Sequence, residues 1–438
     1  MYWSKYNVVI PHGDKYALIN PLAGSFDIAD KDEIQALRDG IADMDLMDYA
    51  VSRGYIYDDE QQEKAALDAA YSEFQDIMAT SQTQVLLIPT YDCNFSCIYC
   101  YESGVAGRSG IISREAVDAF FDDMEYRLGD EAVRPYITLF GGEPLLNRPG
   151  QKDIIAYTID KAADNAYEIA VVTNGYYLAD YLDILSRAHI REIQVTLDGP
   201  PEVHNRRRRL KGGQDSFDTI MEGIAAAIDK GMPINLRVVT DKDNINDLPR
   251  LADILEHRGW LDLPPERFKV QIGRNYDPFN CFGNNDSLMD RAQLWADYTE
   301  LSHQYPILKK FHQPEFKGLK QAIETGSMYA PTFDTCPAGK KEWVYDLYGD
   351  IYGCTAASGR EEYKLGTYFP ESKIFEDRLE PWRRRDILHI EQCASCPVGM
   401  VCGGGCGVMA HQRSGEVLAP DCEPIADIWE SALKYYDI

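Results

Sequence analysis

From about residue 83 the chain alternates short apolar runs with amphipathic stretches, and this rhythm narrows its fold more than any other feature. "QVLLIPT", "YITLFGG", "EIAVVTNG", "EIQVTLDG", "INLRVVT" and "RFKVQIG" read as strands. Between them "SREAVDAFFDDMEYRLG" (Ser113 its cap), "KDIIAYTIDKAADN", "LADYLDILSRAH", "SFDTIMEGIAAAIDKG" and "NDLPRLADILEHRG" read as helices. Six strands alternating with five helices predict an α/β unit of parallel strands with right-handed crossovers. An open doubly wound sheet and an incomplete, TIM-type (β/α)6 barrel both satisfy the pattern. The unusual residues gather at strand carboxyl ends: a cysteine loop after the first, "GGEP" after the second, "TNG" after the third and "TLDGP" after the fourth. Both architectures place their active sites there.

The flanks differ from this core. Residues 1 to 82 hold no cysteine and read as a small α+β module. "YNVVIP" and "YALIN" are strands joined at "HGDK". "DKDEIQALRDG" is a helix closed by Gly40, "DLMDYAVSRGYI" a second with Gly54 as its cap, and "EKAALDAAYSEFQDIM" a third. After about residue 330 the rhythm stops, and the tail carries seven cysteines and many glycines. Long apolar runs are scarce there, so metal is expected to replace part of a core. The expected units are 1–82, 83–330 and 331–438.

Composition excludes several functions. No run of about 18 apolar residues exists, so no membrane span is expected. The N-terminus lacks a basic stretch followed by an apolar one, which makes the cytoplasm the expected compartment. Eleven cysteines in such a chain point to metal or redox chemistry rather than a disulfide scaffold. A net charge of −27 argues against nucleic acid as partner. One basic run, "HNRRRRLKGG" at 204 to 213, breaks the acidic pattern.

"PTYDCNFSCIYCYESG" puts Cys93, Cys97 and Cys100 in one loop with C-x3-C-x2-C spacing. Structural zinc sites usually want four ligands. Three thiols can instead hold three irons of a [4Fe-4S] cube and leave the fourth iron open. On spacing alone, zinc and a regulatory thiol cluster remain alternatives. The loop follows the first strand of a βα repeat, with Tyr99 before the third cysteine and "GGEP" at the end of the next strand. This combination resembles the radical S-adenosylmethionine (radical SAM) superfamily.

The resemblance implies that Cys93, Cys97 and Cys100 bind the cluster. The open iron would take the amino and carboxylate groups of S-adenosylmethionine (SAM), and one electron would cleave SAM to methionine and a 5′-deoxyadenosyl radical. Gly141, Gly142 and Glu143 match the motif that meets the methionine amino group. Tyr99 lies where adenine contacts are expected. In "VTLDGPPEVHNRRRR", Thr196 and Arg208 match a pattern in which an arginine fork suits the ligand carboxylate. Asp198 and Gly199 are read as shaping the turn.

In the tail, Cys336 and Cys354 precede "CASCPVGMVCGGGC", with Cys393, Cys396, Cys402 and Cys406, and Cys422 follows. Paired zinc ribbons are the alternative. The set resembles the seven-cysteine SPASM extension of radical SAM enzymes, which implies a C-terminal Fe-S domain with two auxiliary [4Fe-4S] clusters, three clusters in all. Carried over, Cys393, Cys396, Cys402 and Cys422 close one, and Cys336, Cys354 and Cys406 hold the other with three ligands. Ala330 stands where some relatives have an extra cysteine. Cys281, water, another side chain or a substrate thiolate are the candidates for the fourth ligand.

SPASM proteins mostly modify peptides or proteins. The expected function is therefore a maturase of a ribosomal peptide that takes hydrogen from an unactivated carbon, with a thioether or other cross-link as the leading product. Flavodoxin or ferredoxin is the expected electron donor. The sulfatase-maturating branch, which makes formylglycine, is the alternative. It carries an aspartate after the cysteine matching Cys354, where this chain has Thr355. A non-enzymatic Fe-S electron carrier is a distant third and needs neither "GGEP" nor an open cluster. Many such maturases begin with a winged-helix-like module that binds a leader peptide as an added strand, and residues 1 to 82 have the elements for one. The sequence singles out no catalytic acid or base.

Overall fold

The computed structural model describes residues 1–105, 109–282 and 285–438. Its core strands are β1 Gln84–Ile88, β2 Tyr136–Leu139, β3 Ile169–Thr173, β4 Ile190–Thr196, β5 Ile234–Thr240 and β6 Phe268–Arg274. The helices between them are α1 Arg114–Leu128, α2 Gln151–Asp164, α3 Leu178–Leu185, α4 Phe217–Asp229 and α5 Leu248–His257. Each helix is amphipathic and buries one stripe, such as Ile220, Ile224, Ala227 and Ile228 of α4. Ser113 caps α1, its hydroxyl accepting from the Ala116 N–H at 3.1 Å.

The six core strands pair in parallel in sequential order, β1 beside β2 through to β6. The strand order never reverses, so the sheet has no switch point, and the doubly wound alternative is set aside for the partial (β/α)6 barrel. The core strands stop at β6, and closure is incomplete. Positions i and i+2 at the strand ends, such as Gln194 and Thr196 or Arg237 and Val239, line one cavity on the inner face.

The tail joins this sheet, a link that its scarce apolar runs did not suggest. Strand β7 Glu342–Asp346 pairs in parallel with the outer side of β1, Trp343 opposite Val85 and Tyr345 opposite Leu87. Three antiparallel strands follow, β8 Asp350–Tyr352, β9 Lys364–Thr367 and β10 Lys373–Ile374, completing a ten-stranded sheet. Hydrogen bonds thus run unbroken from the core into the cysteine-rich segment.

The N-terminal segment forms a three-stranded antiparallel meander, Val8–His12, Lys15–Asn20 and Ser25–Ala29, with three helices. Gly40 closes the first helix in the left-handed region at φ 68°. The longest, Glu60–Thr80, lies on the tail. There Tyr71 meets Phe333 edge-on at 5.0 Å and donates its hydroxyl to Asp386 at 2.9 Å.

Candidate active site

A cavity of about 300 Å³ opens at the carboxyl ends of the barrel strands. Cys93, Cys97 and Cys100 line it, together with Tyr99, Gly141, Gly142, Glu143, Thr196 and Arg208. Residues from four separate segments therefore converge on one space.

Two features hold the cysteine loop in place. The first is an antiparallel ladder between Phe95–Cys97 and Arg208–Leu210, with Arg208 opposite Cys97. The second is a seam with the end of β2: the Gly142 N–H donates to the Thr90 carbonyl at 3.1 Å and the Glu143 N–H to Asp92 at 2.9 Å. A Cβ on Gly142 would lie 2.4 Å from the Tyr91 carbonyl oxygen and 2.5 Å from that of Asp92. Gly141 has φ 113° and an equally close neighbour in the Thr90 carbonyl, at 2.6 Å. Both glycines are thus needed for the approach of the two loops to each other.

Glu143 is buried, and three donors occupy its carboxylate: the Thr173 hydroxyl at 2.6 Å and the N–H groups of Asn174 at 2.7 Å and Leu145 at 2.9 Å. Burial pushes its pKa up against those hydrogen bonds. The side chain ties the end of β2 to the end of β3. Asn174 then reaches back, donating to Asn94 Oδ1 at 2.8 Å, with the Cys93 sulfur at 3.8 Å from the same nitrogen.

Four adjacent arginines meet three different fates. Arg206 and Arg209 are exposed. Arg207 is buried and forks onto Asp241 at 2.8 and 2.7 Å. Arg208 alone of the four lines the cavity; it donates to the Tyr99 hydroxyl at 2.8 Å, and its buried Nε has no partner among the described residues. Tyr99 in turn donates to Asp198. Asp198 does more than shape a turn: it is fully buried and also accepts from Arg207 Nε at 3.3 Å and the Val239 N–H at 3.2 Å.

The three thiols of the loop lie within one another's field. Burial raises the Cys93 thiol, with Glu143, Cys97 and Cys100 adding to the effect, and lifts Cys100 to about 12. Burial also raises Cys97, opposed by Arg208. Without a cation these sulfurs hold their protons, and an iron centre would reverse that preference. Among the described residues no three His, Cys, Asp or Glu side chains stand at single-ion ligand spacing. Three thiols converging on one cavity are the donor set that an iron–sulfur cluster with one open iron requires. The unpartnered donors Arg208 Nε and Asn94 Nδ2 add unfilled polar capacity beside it.

The tail thiols fall into two neighbourhoods. Cys354 feels Glu342, Cys336 and Cys406, whereas Cys393 feels Cys402, Cys422 and Cys396. Burial raises both thiols, Cys393 to about 11. Backbone N–H groups of Ala338 and Gly407 point at Cys336, and those of Glu423 and Gly404 at Cys402. Buried Arg385 holds the glycine loop from behind, donating to the carbonyls of Gly404 and Ala419, each at 2.6 Å. The Cys281 sulfur is 3.8 Å from the Tyr101 carbonyl and 3.7 Å from an Arg360 nitrogen.

Residues 87–255 match the Radical SAM superfamily. The chain carries a radical SAM domain. Its curated relatives include a probable GTP 3′,8-cyclase of Methanopyrus kandleri, 31% identical over 43% of this chain and 58% of its own length. The chain thus spans under two thirds of that relative. An Fe-coproporphyrin III synthase of Methanosarcina barkeri is 28% identical over 80% of this chain and 88% of its own. Among solved structures, anSMEcpe with bound AdoMet shares the fold at TM-score 0.58 and 16% identity, covering 81% of this chain and 92% of that one. Streptococcus suis SuiB bound to precursor peptide SuiA does so at TM-score 0.56 and 14% identity, covering 97% and 99%.

Several residues of the radical SAM cavity escaped the sequence reading. "TNG" at the end of β3 flagged Thr173 and Asn174 by position but not by role. Gln194, Arg237, Arg274 and Tyr276 carried no motif; inward alternation on β4 and β5 was the signal that could have found Gln194 and Arg237, whereas Arg274 and Tyr276 stand at and just beyond the end of β6, out of step with inward Gly273. Thr355, beside Cys354, also lines the cavity and brings the Cys336–Cys354–Cys406 neighbourhood to its wall.

Proposed function

We propose that the protein is a radical SAM peptide maturase with three [4Fe-4S] clusters, organised as an N-terminal module (1–82), a radical SAM core (83–330) and a SPASM tail (331–438). Cys93, Cys97 and Cys100 would hold the SAM-binding cluster. Cys393, Cys396, Cys402 and Cys422 would hold one auxiliary cluster, and Cys336, Cys354 and Cys406 the other. Reductive cleavage of SAM at the first would supply a carbon radical able to take hydrogen from an unactivated carbon.

The chain's own residues then bind and orient. Arg208, with a free Nε beside the loop, suits the SAM carboxylate. Thr196 offers a hydroxyl across the cavity, Tyr99 offers its ring, and the Gly141–Glu143 segment forms the wall nearest the thiols. One observation carries the reading: a single cavity touches both the three-thiol loop and, through Thr355 and Tyr276, the Cys354–Cys406 neighbourhood. A substrate there would meet the radical source and a route for the released electron. The peptide part draws support from SuiB, which aligns along nearly the whole chain and whose solved complex holds its precursor peptide. The meander, with exposed Ile41 and Met44 on the adjoining segment, offers strand edges for a leader peptide.

A tetrapyrrole substrate is the second reading, favoured by the relative that covers 80% of this chain. Formylglycine formation is weaker. Thr355 stands at the wall, and the carboxylates lining the cavity are Glu102 and the occupied Glu143. The test is 5′-deoxyadenosine production by the reconstituted, dithionite-reduced protein with SAM. A cysteine-bearing peptide encoded beside the gene should raise it and lose hydrogen by mass spectrometry. Stimulation by a tetrapyrrole precursor of Fe-coproporphyrin III and by no peptide would replace the peptide reading with the second.

A further inference from the structure

Arg237 and Arg274 face the cavity from β5 and β6. Thr196 of β4 is the strand neighbour of Arg237. The Arg237 side chain lies across Gly273, where a Cβ would come within 2.9 Å of its Nε and 3.0 Å of an amino nitrogen. The glycine thus keeps a space open for this guanidinium. The Arg237 side chain makes neither a hydrogen bond nor an ion pair among the described residues, although its carbonyl accepts from the Leu197 N–H at 3.0 Å.

Arg274 donates to the Met289 carbonyl at 3.0 Å, and its buried Nε has no partner. The acids nearest it are committed elsewhere. Glu423 bonds Arg291 at 2.9 Å and Lys317 at 2.6 Å, and Asp421 bonds Arg413 at 2.6 Å. Arg207, by contrast, forks onto Asp241. In a chain of net charge −27, two half-buried cations without acids of their own form an incomplete arrangement. Carboxylate geometry matches such a fork.

We propose that Arg237 and Arg274 form a subsite for a carboxylate of the substrate, holding it in the barrel between the loop thiols and Tyr276. The proposal rests on the reading that substrate meets SAM in this cavity. Arg208 already stands beside the thiol loop to receive the SAM carboxylate, so the second pair of cations serves a second anion. Two sources have the required chemistry: an acidic residue of a peptide and a tetrapyrrole propionate.

The test is arginine footprinting of the anaerobically reconstituted full-length protein with phenylglyoxal, read by peptide mapping in the presence of saturating SAM. The probes are an acetylated, amidated peptide with a central glutamate, its glutamine twin, Fe-coproporphyrin III and the tetramethyl ester of the latter. Protection of Arg237 and Arg274 by one acid probe and not by its neutral twin is the expected result, and the probe that protects names the source. Arg237→Gln combined with Arg274→Gln should weaken binding of that probe about tenfold or more. Equal protection by acid and neutral probes, no protection by either acid, or full protection by SAM alone would overturn the proposal. Footprinting needs no turnover. A protein that binds the acid probe but makes no 5′-deoxyadenosine would refute the proposed function and leave the subsite standing.

Discussion

Arg208 stands directly opposite Cys97 in the short ladder that closes the thiol loop. The same arginine donates to Tyr99, which donates to buried Asp198 at the end of β4. One residue therefore fixes the loop backbone and presents a cation to the cavity. It links the loop after β1 to the turn after β4, two strands that do not pair with each other.

Arg208→Ala should weaken SAM binding about ten- to a hundredfold, the worth of a buried charge-assisted hydrogen bond. Arg209→Ala, on the exposed neighbour, should change it less than twofold. Equilibrium dialysis against labelled SAM measures both.

Replacing Cys93, Cys97 and Cys100 together with Ala should abolish 5′-deoxyadenosine formation under dithionite. About four irons should be lost from the roughly twelve expected of three [4Fe-4S] clusters. Iron analysis of variant and wild type, reconstituted in parallel, separates loss of this cluster from general unfolding.

Gly142→Ala places a methyl group against two backbone carbonyls at 2.4 and 2.5 Å. Neither can rotate away as a side chain would. We expect about 1–3 kcal/mol of destabilisation, seen as a lower urea midpoint at unchanged slope, together with poorer iron loading because the thiol loop must shift.

The barrel strands were legible because each is a short apolar run between turn residues, and helix ends were legible by their caps, Ser113 in the barrel and Gly40 in the N-terminal module. The ladder was not legible. "FSC" and "RRL" are three residues each and lack alternation; they pair because the Pro201–Arg207 helix returns the chain to the loop. Which of four arginines enters the cavity follows from that pairing and not from composition. Strand β7 was missed for a related reason. "EWVYD" mixes apolar and charged residues, and its order comes from the exposed side of β1. Arg237 and Arg274 belong to no motif, and the pairing of β5 with β6 brings them to one cavity.

His204 sets a pH limit. It is fully buried, accepts from the Asp198 N–H at 3.3 Å, and its Nε2 lies 3.1 Å from the Ser216 hydroxyl. Burial, helped by Arg208, holds its pKa well below 6.5. The other ring against it is Phe217, at 6.0 Å. A depressed folded pKa gives stability that is present above the unfolded value and lost as pH falls below it. The cluster-free protein should therefore lose thermal stability progressively below about pH 6.5. His204→Gln, which can keep both hydrogen bonds, should flatten that slope in calorimetric scans between pH 7.5 and 5.

Cys281 separates two accounts of the three-thiol neighbourhood. Cys354 shares its field with Cys336 and Cys406, while the Cys281 sulfur rests against the Tyr101 carbonyl and Arg360. Its backbone N–H donates to Asp277 at 2.9 Å, one of three N–H groups which that carboxylate orders in the turn after β6. In this position we expect Cys281 to serve as a small polarizable residue beside the Tyr101 carbonyl. Cys281→Ala should therefore leave iron content and uncoupled SAM cleavage near wild type, whereas Cys354→Ala should remove about four irons. If the Cys336–Cys354–Cys406 cluster then keeps one iron without a protein thiolate, a cysteine-bearing substrate peptide should shift its electron paramagnetic resonance signal and a serine analogue should not. Loss of a whole cluster in Cys281→Ala would show instead that the protein supplies the fourth thiolate, and the thioether product would lose its structural basis.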